Sequence, residues 1–409
     1  MCPIILKASA KLPTLADSPM YLAVRLSKSG SKGRAAYALI EIPSHLPRFL
    51  ALPKGDSKKQ HVMYLDDIIR YGLKEIFASL PYDQFESYAI KFTRDAELEF
   101  DDDFTESFYE RLSEGIKARG EGLPVRANFD ASFPKTFLNL ILRKLDLDGS
   151  DSLYPGARYH NRRDLLSFPD FGRSELKYPK HSPLQPPRVR GLHNKGYFFE
   201  LKKRDLMFHI PYHSFSYLIY LLQEASIDPL VRTIKVTQYR LAKNSCIARA
   251  LQAAARNGKN VEVLVEPQAR FDEAANIKWA AKYRDAGVKV ILGVQGLKVH
   301  SKLVLIERME SGKLKRYAAL GTGNFNEESA NVFADHLLMT SHEGLTEDVA
   351  KVFGFFQKSY IQPEMKHIHM APFGVREFLK DKIDREIGFA KKGEKAVLSI
   401  KVNNLADAE

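Results

Sequence analysis

Cysteine is almost absent from this sequence, with Cys2 and Cys246 the only two. So sparse a pair supports neither a disulfide framework nor a zinc site, and a reducing compartment suits it best. Long apolar runs are missing too, since none approaches the about 18 to 20 residues needed to span a bilayer. The opening stretch, Met1 to Leu15, is interrupted by Pro3, Lys7, Lys11 and Pro13, so no signal peptide is expected there. There is no internal repeat, low-complexity tract, zinc finger or RNP-type aromatic pair, which removes the usual grounds for a nucleic-acid partner. These absences lead to the expectation of a soluble cytoplasmic protein.

What is present points to a folded, multidomain chain. At 409 residues it is too long for one hydrophobic core. Hydrophobic residues make up 44% and charged residues 27%, a composition that excludes global disorder. Lys plus Arg number 62 against 50 for Asp plus Glu, so the net charge of +12 favours a polyanionic partner: nucleic acid, phosphate polymer or acidic lipid.

Hydrophobic periodicity divides the chain into parts. From Leu22 to Asp148, alternating runs such as Tyr21 to Leu26 and Ala35 to Ile42 mix with helical stretches at Leu65 to Phe77, Phe104 to Ala118 and Lys135 to Leu145, an α+β pattern. Between Tyr154 and Arg204, Pro179, Pro183, Pro186 and Pro187 break regular structure among many Arg and Lys residues, as in a linker or the wall of a basic channel. From Asp205 onward short apolar strands alternate with helices: 206–210, 215–224, 233–239, 247–257, 261–265, 273–286 and 288–292. That alternation predicts an α/β domain with a largely parallel sheet. Strands at 301–306 and 316–320 and a helix at 347–357 follow, and the closing segment reads as a helix and then a strand, Ala396 to Val402.

Chemistry concentrates between His300 and Asn326. His300-Ser-Lys302 is expected to open a strand, which would put imidazole and ammonium on one face. A neutral imidazole can attack phosphorus while the lysine neutralises the phosphoryl oxygens. Downstream, the turn Gly321-Thr-Gly323-Asn324-Phe-Asn326 offers backbone N–H groups and an amide to the same phosphate. Arg240 and Arg270 each follow a predicted strand, where α/β sheets place ligand contacts, and two guanidinium forks there suit a triphosphate. Lys298, two residues before His300, either adds charge on the same face or simply lies in solvent, whereas His209 and the single tryptophan, Trp279, read as structural.

The H-x-K and G-x-x-N elements resemble those of the phospholipase D superfamily, with Glu307 where the usual aspartate stands seven positions after the histidine. In order, Asp205 to Phe215, Ile234 to Arg240, Ala269 to Glu273, Gly296 to Lys302 and Leu320 to Asn326 resemble the consecutive motifs of bacterial polyphosphate kinase, the large family with phospholipase D-like domains. Leu22 to Leu26 and Gly122 to Arg126 resemble its head domain. The resemblance implies an α+β head domain with its basic linker over residues 1–190, a phospholipase D-like α/β catalytic domain over 191–370, and the beginning of a second such domain over 371–409, in a chain truncated at both ends. It implies a reversible ATP:polyphosphate phosphotransferase that uses a phosphohistidine, for which His300 matches the acceptor. It also implies Mg2+ near Arg240 and Arg270, with direct ligands unassigned because a guanidinium has no lone pair to give. Phe333 takes the place of the family's nucleotide-site tyrosine, and Ile210 that of a second histidine. ATP, ADP and inorganic polyphosphate are the partners implied, in a homo-oligomer that is cytoplasmic or peripheral to the inner membrane. With half of the composite site missing, this chain alone is expected to bind phosphate polymers and turn over poorly. The rivals are a phosphodiesterase of the phospholipase D superfamily, against which the Ala269 to Glu273 and strand-end motifs argue, and a non-catalytic polyanion-binding module.

Overall fold

The computed structural model describes the chain apart from residues 1, 7–14, 16–19, 31–34, 56–58, 95–123, 146, 148–151, 180–181, 190–191, 193–195, 267–272, 295, 401 and 403–409. The helix expected at Phe104 to Ala118 lies outside the described residues. Among the described residues no helix is long and apolar enough to cross a membrane. The chain forms two compact units, Met1–Lys180 and His181–Glu409.

In the first unit β1 (Ile4–Ile5), β2 (Tyr21–Ser27), β3 (Ala36–Glu41), β6 (Gln84–Arg94), β7 (Pro124–Asp130) and β8 (Leu153–Gly156) form a sheet in the order β1-β3-β2-β6-β7-β8. β4 (Phe49–Ala51) and β5 (Val62–Tyr64) pair separately. The period-2 alternation of a strand sends Tyr21 and Ala23 to one face and Leu22, Val24 and Leu26 to the other. Both faces are covered, the first by Phe137 and Ile141 of α3 (Lys135–Lys144), the second by Ile69 of α1 (Leu65–Tyr71) and Leu73 of α2 (Leu73–Ile76). This double burial is why β2 is a nearly continuous apolar run. Residues 158–164 are fastened to the same unit, Arg158 to Asp67 at 2.9 Å and Asp164 to Arg48 at 2.8 Å.

The second unit has a seven-stranded sheet in the order β12-β11-β10-β13-β14-β15-β9. Its strands are β9 (Leu206–Ile210), β10 (Val231–Gln238), β11 (Asn260–Val265), β12 (Lys289–Leu292), β13 (Leu303–Glu310), β14 (Lys313–Gly321) and β15 (Asp335–Thr340). Only the β10–β11 and β11–β12 pairings are parallel; the other four are antiparallel, so the expected largely parallel sheet is corrected to a mixed one. One of the four has a local cause: Ser311 and Gly312 both have positive φ, 48° and 77°, and this two-residue hairpin folds β14 straight back on β13.

The helices are α4 (Tyr197–Leu201), α5 (Ser216–Ile227), α6 (Cys246–Arg256), α7 (Glu273–Asp285), α8 (Glu343–Gln357) and α9 (Val375–Lys391). Helix α6 starts where the Ser245 hydroxyl accepts the Ala248 amide at 3.2 Å, and ends at Gly258, whose φ of 78° suits the turn out of a helix. Its buried stripe, Ile247, Ala248, Leu251 and Ala254, joins Leu218 and Leu222 of α5 over Val304, Ile306 and Ala319. Helix α8 covers the other face, with Val349, Val352 and Phe353 against Leu305 and Ala318. Phe353 is fully buried there, and Phe353→Ala should cost about 3–5 kcal/mol. A urea midpoint unchanged from the native chain would contradict that packing.

No strand forms at 396–400. Val397, Leu398 and Ile400 are exposed, and a strand needs a neighbour for its ladder.

Candidate functional site

The carboxyl ends of β10 and β11, the start of β13, the end of β14 and the start of β15 meet along one edge of the second sheet. β10 leads directly into Tyr239 and Arg240, and β11 into Glu266. His300, Ser301 and Lys302 precede β13 rather than belonging to it. The Thr237 hydroxyl takes the place of a ladder there, accepting the Leu303 amide at 2.8 Å and donating to the Ser301 carbonyl at 2.8 Å. The expected strand pleat therefore does not align the imidazole and the ammonium. Instead Lys302 turns back, and its Nζ donates to the His300 carbonyl oxygen.

Two further groups fix the turn from behind. Glu266 is only 1% exposed, and its carboxylate accepts the Val299 amide at 2.8 Å. Asn276 of α7 donates its amide to the carbonyls of Tyr239, at 2.9 Å, and Glu266, at 3.0 Å. The Tyr239 ring meets the His300 imidazole edge to face, centroids 5.0 Å apart, and lies 5.7 Å from the Lys302 ammonium and 5.9 Å from the Arg240 guanidinium.

Electrostatics follow from this crowding. Loss of hydration lowers the His300 pKa first, and the charges of Lys302, Lys298 and Arg240 lower it further, which keeps the ring neutral with a ring-nitrogen lone pair free. Lys302, 6% exposed, is pushed down to about 8 by burial, against an opposing pull from Asp335.

The glycine turn closes the site. The Gly321 amide donates to the Lys302 carbonyl at 2.9 Å, and the Thr322 hydroxyl donates to Asp335 at 2.8 Å while accepting the His336 amide at 2.9 Å. At Gly323 any Cβ would fall inside the Asp335 carboxylate, so a side chain is excluded by close approach. The Asn326 side-chain oxygen, Oδ1, accepts the amides of Glu328 and Ser329, both at 2.9 Å, and its side-chain NH2 donates to the Arg240 carbonyl at 3.4 Å. The Asn324 Oδ1 is buried and has no hydrogen-bond partner among the described residues. It lies at a recess shared with Ile210, Phe215, Gly323, Asp335 and His336.

Of the residues singled out from sequence, His300, Lys302, Lys298 and Arg240 share one electrostatic neighbourhood, and the loop carrying Asn324 abuts Lys302. Phe333 follows on the same loop, 62% exposed. Arg270 lies outside the described residues. Glu307 is not in the site: it pairs across the hairpin with Arg316 at 3.1 Å. His209 stacks on His336 with centroids 4.8 Å apart, and Trp279 is in the core with its indole N–H on the Ala242 carbonyl at 3.2 Å. Sequence reasoning missed Asp335, Glu266 and Thr237. The available signal was an acid at the head or end of an apolar strand, as in Asp335-His-Leu-Leu and Val-Leu-Val-Glu266.

Two family models match the chain: the polyphosphate kinase middle domain over residues 1–168 and the polyphosphate kinase C-terminal domain 1 over 196–362. The chain is 41% identical over 400 residues to a polyphosphate kinase of Vibrio parahaemolyticus, covering 97% of this chain and 57% of that one. To the polyphosphate kinase of Escherichia coli K12 it is 39% identical over 401 residues, covering 96% and 57%. The solved polyphosphate kinase of Porphyromonas gingivalis superimposes with a TM-score of 0.74 at 30% identity, covering 96% of this chain and 57% of that one. The chain thus spans a little over half the length of these relatives.

Proposed function

Because the chain belongs to the polyphosphate kinase family, we propose that its site transfers the terminal phosphoryl group of ATP to inorganic polyphosphate, reversibly, through a phosphohistidine at His300. The observation that carries this reading is the imidazole held neutral amid Lys302, Lys298 and Arg240. A neutral ring nitrogen has the lone pair to attack phosphorus, and the surrounding cations suit the charge of the phosphoryl oxygens. In the first step an N–P bond forms as the bond from phosphorus to the bridging oxygen of ADP breaks. In the second a terminal oxyanion of polyphosphate attacks the same phosphorus, the N–P bond breaks, and the imidazole is regenerated.

Lys302 and Arg240 would contact phosphoryl oxygens, Arg270 would complete the clamp from its loop, and Asn324 would supply an amide donor. Phe333 would stack on the base. Among the described residues no group of three or more His, Cys, Asp or Glu could hold a metal ion. Mg2+ near Arg240 and Arg270 would lower the charge of the nucleotide's phosphates, its direct ligands unassigned.

The test is incubation with γ-labelled ATP and Mg2+, followed by acid and base treatment of the denatured protein. Label that is acid-labile and base-stable, in the native chain and not in His300→Ala, supports the reading; a native chain that never labels overturns it.

Lys302 gives the reading a pH signature. With its pKa near 8, the ammonium is present below that pH and lost as pH rises through it. Labelling at sub-saturating ATP should fall above about pH 8. In Lys302→Arg the charge persists at any accessible pH, so the alkaline limb should disappear even where the absolute rate drops. An identical limb in both proteins would remove Lys302 from the chemistry.

A further inference from the structure

We propose that Glu327 is the positioning residue that registers the Asn324 loop against the Arg240 loop, so that both address one phosphate group; this deepens, and rests on, the phosphate-transfer reading of the site. The two loops come from different parts of the sheet. One leaves β10 through Arg240 and reaches α6 at Cys246, while the other leaves β14 through Gly321 and carries Asn324. Glu327 belongs to the second loop, yet its Oε1 lies on the first. It accepts the Cys246 amide at 2.6 Å, the Ile247 amide at 3.2 Å and the Ser245 hydroxyl at 3.2 Å. These are the unpaired first-turn amides of an 11-residue helix, where a negative charge is most favoured.

Three details separate this from an ordinary helix cap. First, α6 already has its own cap in Ser245, so the carboxylate is not needed merely to begin the helix. Second, a parallel tie runs between the same loops, from the Asn326 amide to the Arg240 carbonyl at 3.4 Å. Third, the other carboxylate oxygen, Oε2, is buried with no partner among the described residues, a cost that a simple cap would avoid. The Asn324 Oδ1 is likewise without a partner there, so no bond of that oxygen fixes where Asn324 sits. Its position depends on the loop, and the loop depends on the Glu327 strut. Asn331 stiffens the strut by donating to the Glu327 carbonyl at 2.9 Å.

A strut of this kind predicts energetic coupling rather than mere stability. Tripolyphosphate affinity would be measured by calorimetry on the full chain at fixed pH and salt for Arg240→Ala, Asn324→Ala and the double variant. The same set would be repeated in a Glu327→Gln background. With Glu327 present, the two alanine effects should be coupled by about ten-fold; with Gln they should become additive to within about two-fold. A structural role alone would lower the melting temperature and leave the coupling as it was. Should Glu327→Gln fail to fold, Glu327→Asp, which keeps the charge and shortens the reach, carries the same comparison. Coupling that persists in the replaced background, or that is absent from the native chain, overturns the proposal. Coupling that behaves as expected in a chain that never labels at His300 leaves the strut standing and removes the kinase reading.

Discussion

Replacing His300 with alanine should reduce phosphoryl transfer from ATP by at least about a thousand-fold while changing tripolyphosphate affinity by no more than about three-fold. The asymmetry follows from the charge state of the ring. His300 is held toward its neutral form by lost hydration and by three neighbouring cations, so at neutral pH its removal takes no positive charge away from a bound polyanion. What disappears is the lone pair that makes the N–P bond, and neither Lys302 nor Arg240 substitutes for it as an imidazole would. The edge-to-face contact with Tyr239 is lost too, worth about 0.5–1.5 kcal/mol, too little to disturb the fold. Stopped assays of labelled protein and calorimetry with tripolyphosphate separate the two quantities. Transfer surviving at native rate would mean that another nucleophile operates; affinity lost in parallel with transfer would mean that His300 binds rather than reacts.

How much of this was readable from the chain alone depends on the range of the interactions involved. Helix α6 was placed to within a residue at either end, because its apolar stripe, the Ser245 cap and the Gly258 exit are all local. β11 was likewise placed to within a residue, since buried parallel strands read as apolar runs, whereas β10 begins two residues before the expected 233. The start of β13 was misjudged by two residues. Ser301 has strand-like neighbours, yet its carbonyl is taken by the Thr237 hydroxyl, 64 residues away in sequence. Strand direction failed for a related reason: pairing is decided between strands, and the Ser311-Gly312 turn that reverses β14 is a two-residue feature beside a long apolar alternation. β15 was passed over altogether, and with it Asp335. That residue acquires meaning only because β14 and β15 pair so that its carboxylate lies against Gly323 and within the electrostatic reach of Lys302. Glu307 shows the converse. Its spacing from His300 fits a motif, but the hairpin register sets it opposite Arg316, and a short ion pair occupies it.

Gly323 is the position where the smallest chemical change should have the next-largest effect, and Gly323→Ala is expected to slow labelling at His300 by about a hundred-fold. A methyl group there cannot be accommodated without moving the Asp335 carboxylate. That carboxylate is not free to swing, because Thr322 donates to it at 2.8 Å and its backbone is paired with Ile210 of β9. Either the turn or the carboxylate must shift, by a distance comparable to the roughly 1 Å displacement that costs catalytic sites about two orders of magnitude. If the carboxylate moves away from Lys302, the ammonium loses the one charge that opposes its deprotonation, so its pKa should fall below about 8 and the alkaline limb of the pH profile should move toward neutrality. If the turn moves instead, the limb stays in place and the loss is in rate alone. Gly354→Ala is the control: nothing lies within 4 Å of a Cβ there, and in the interior of α8 the added methyl should stabilise the helix by about 0.5–1 kcal/mol without touching transfer. Native labelling by Gly323→Ala would mean that the Asp335 carboxylate is not held against the turn, and the role assigned to the Gly321 to Asn326 loop would fall with it.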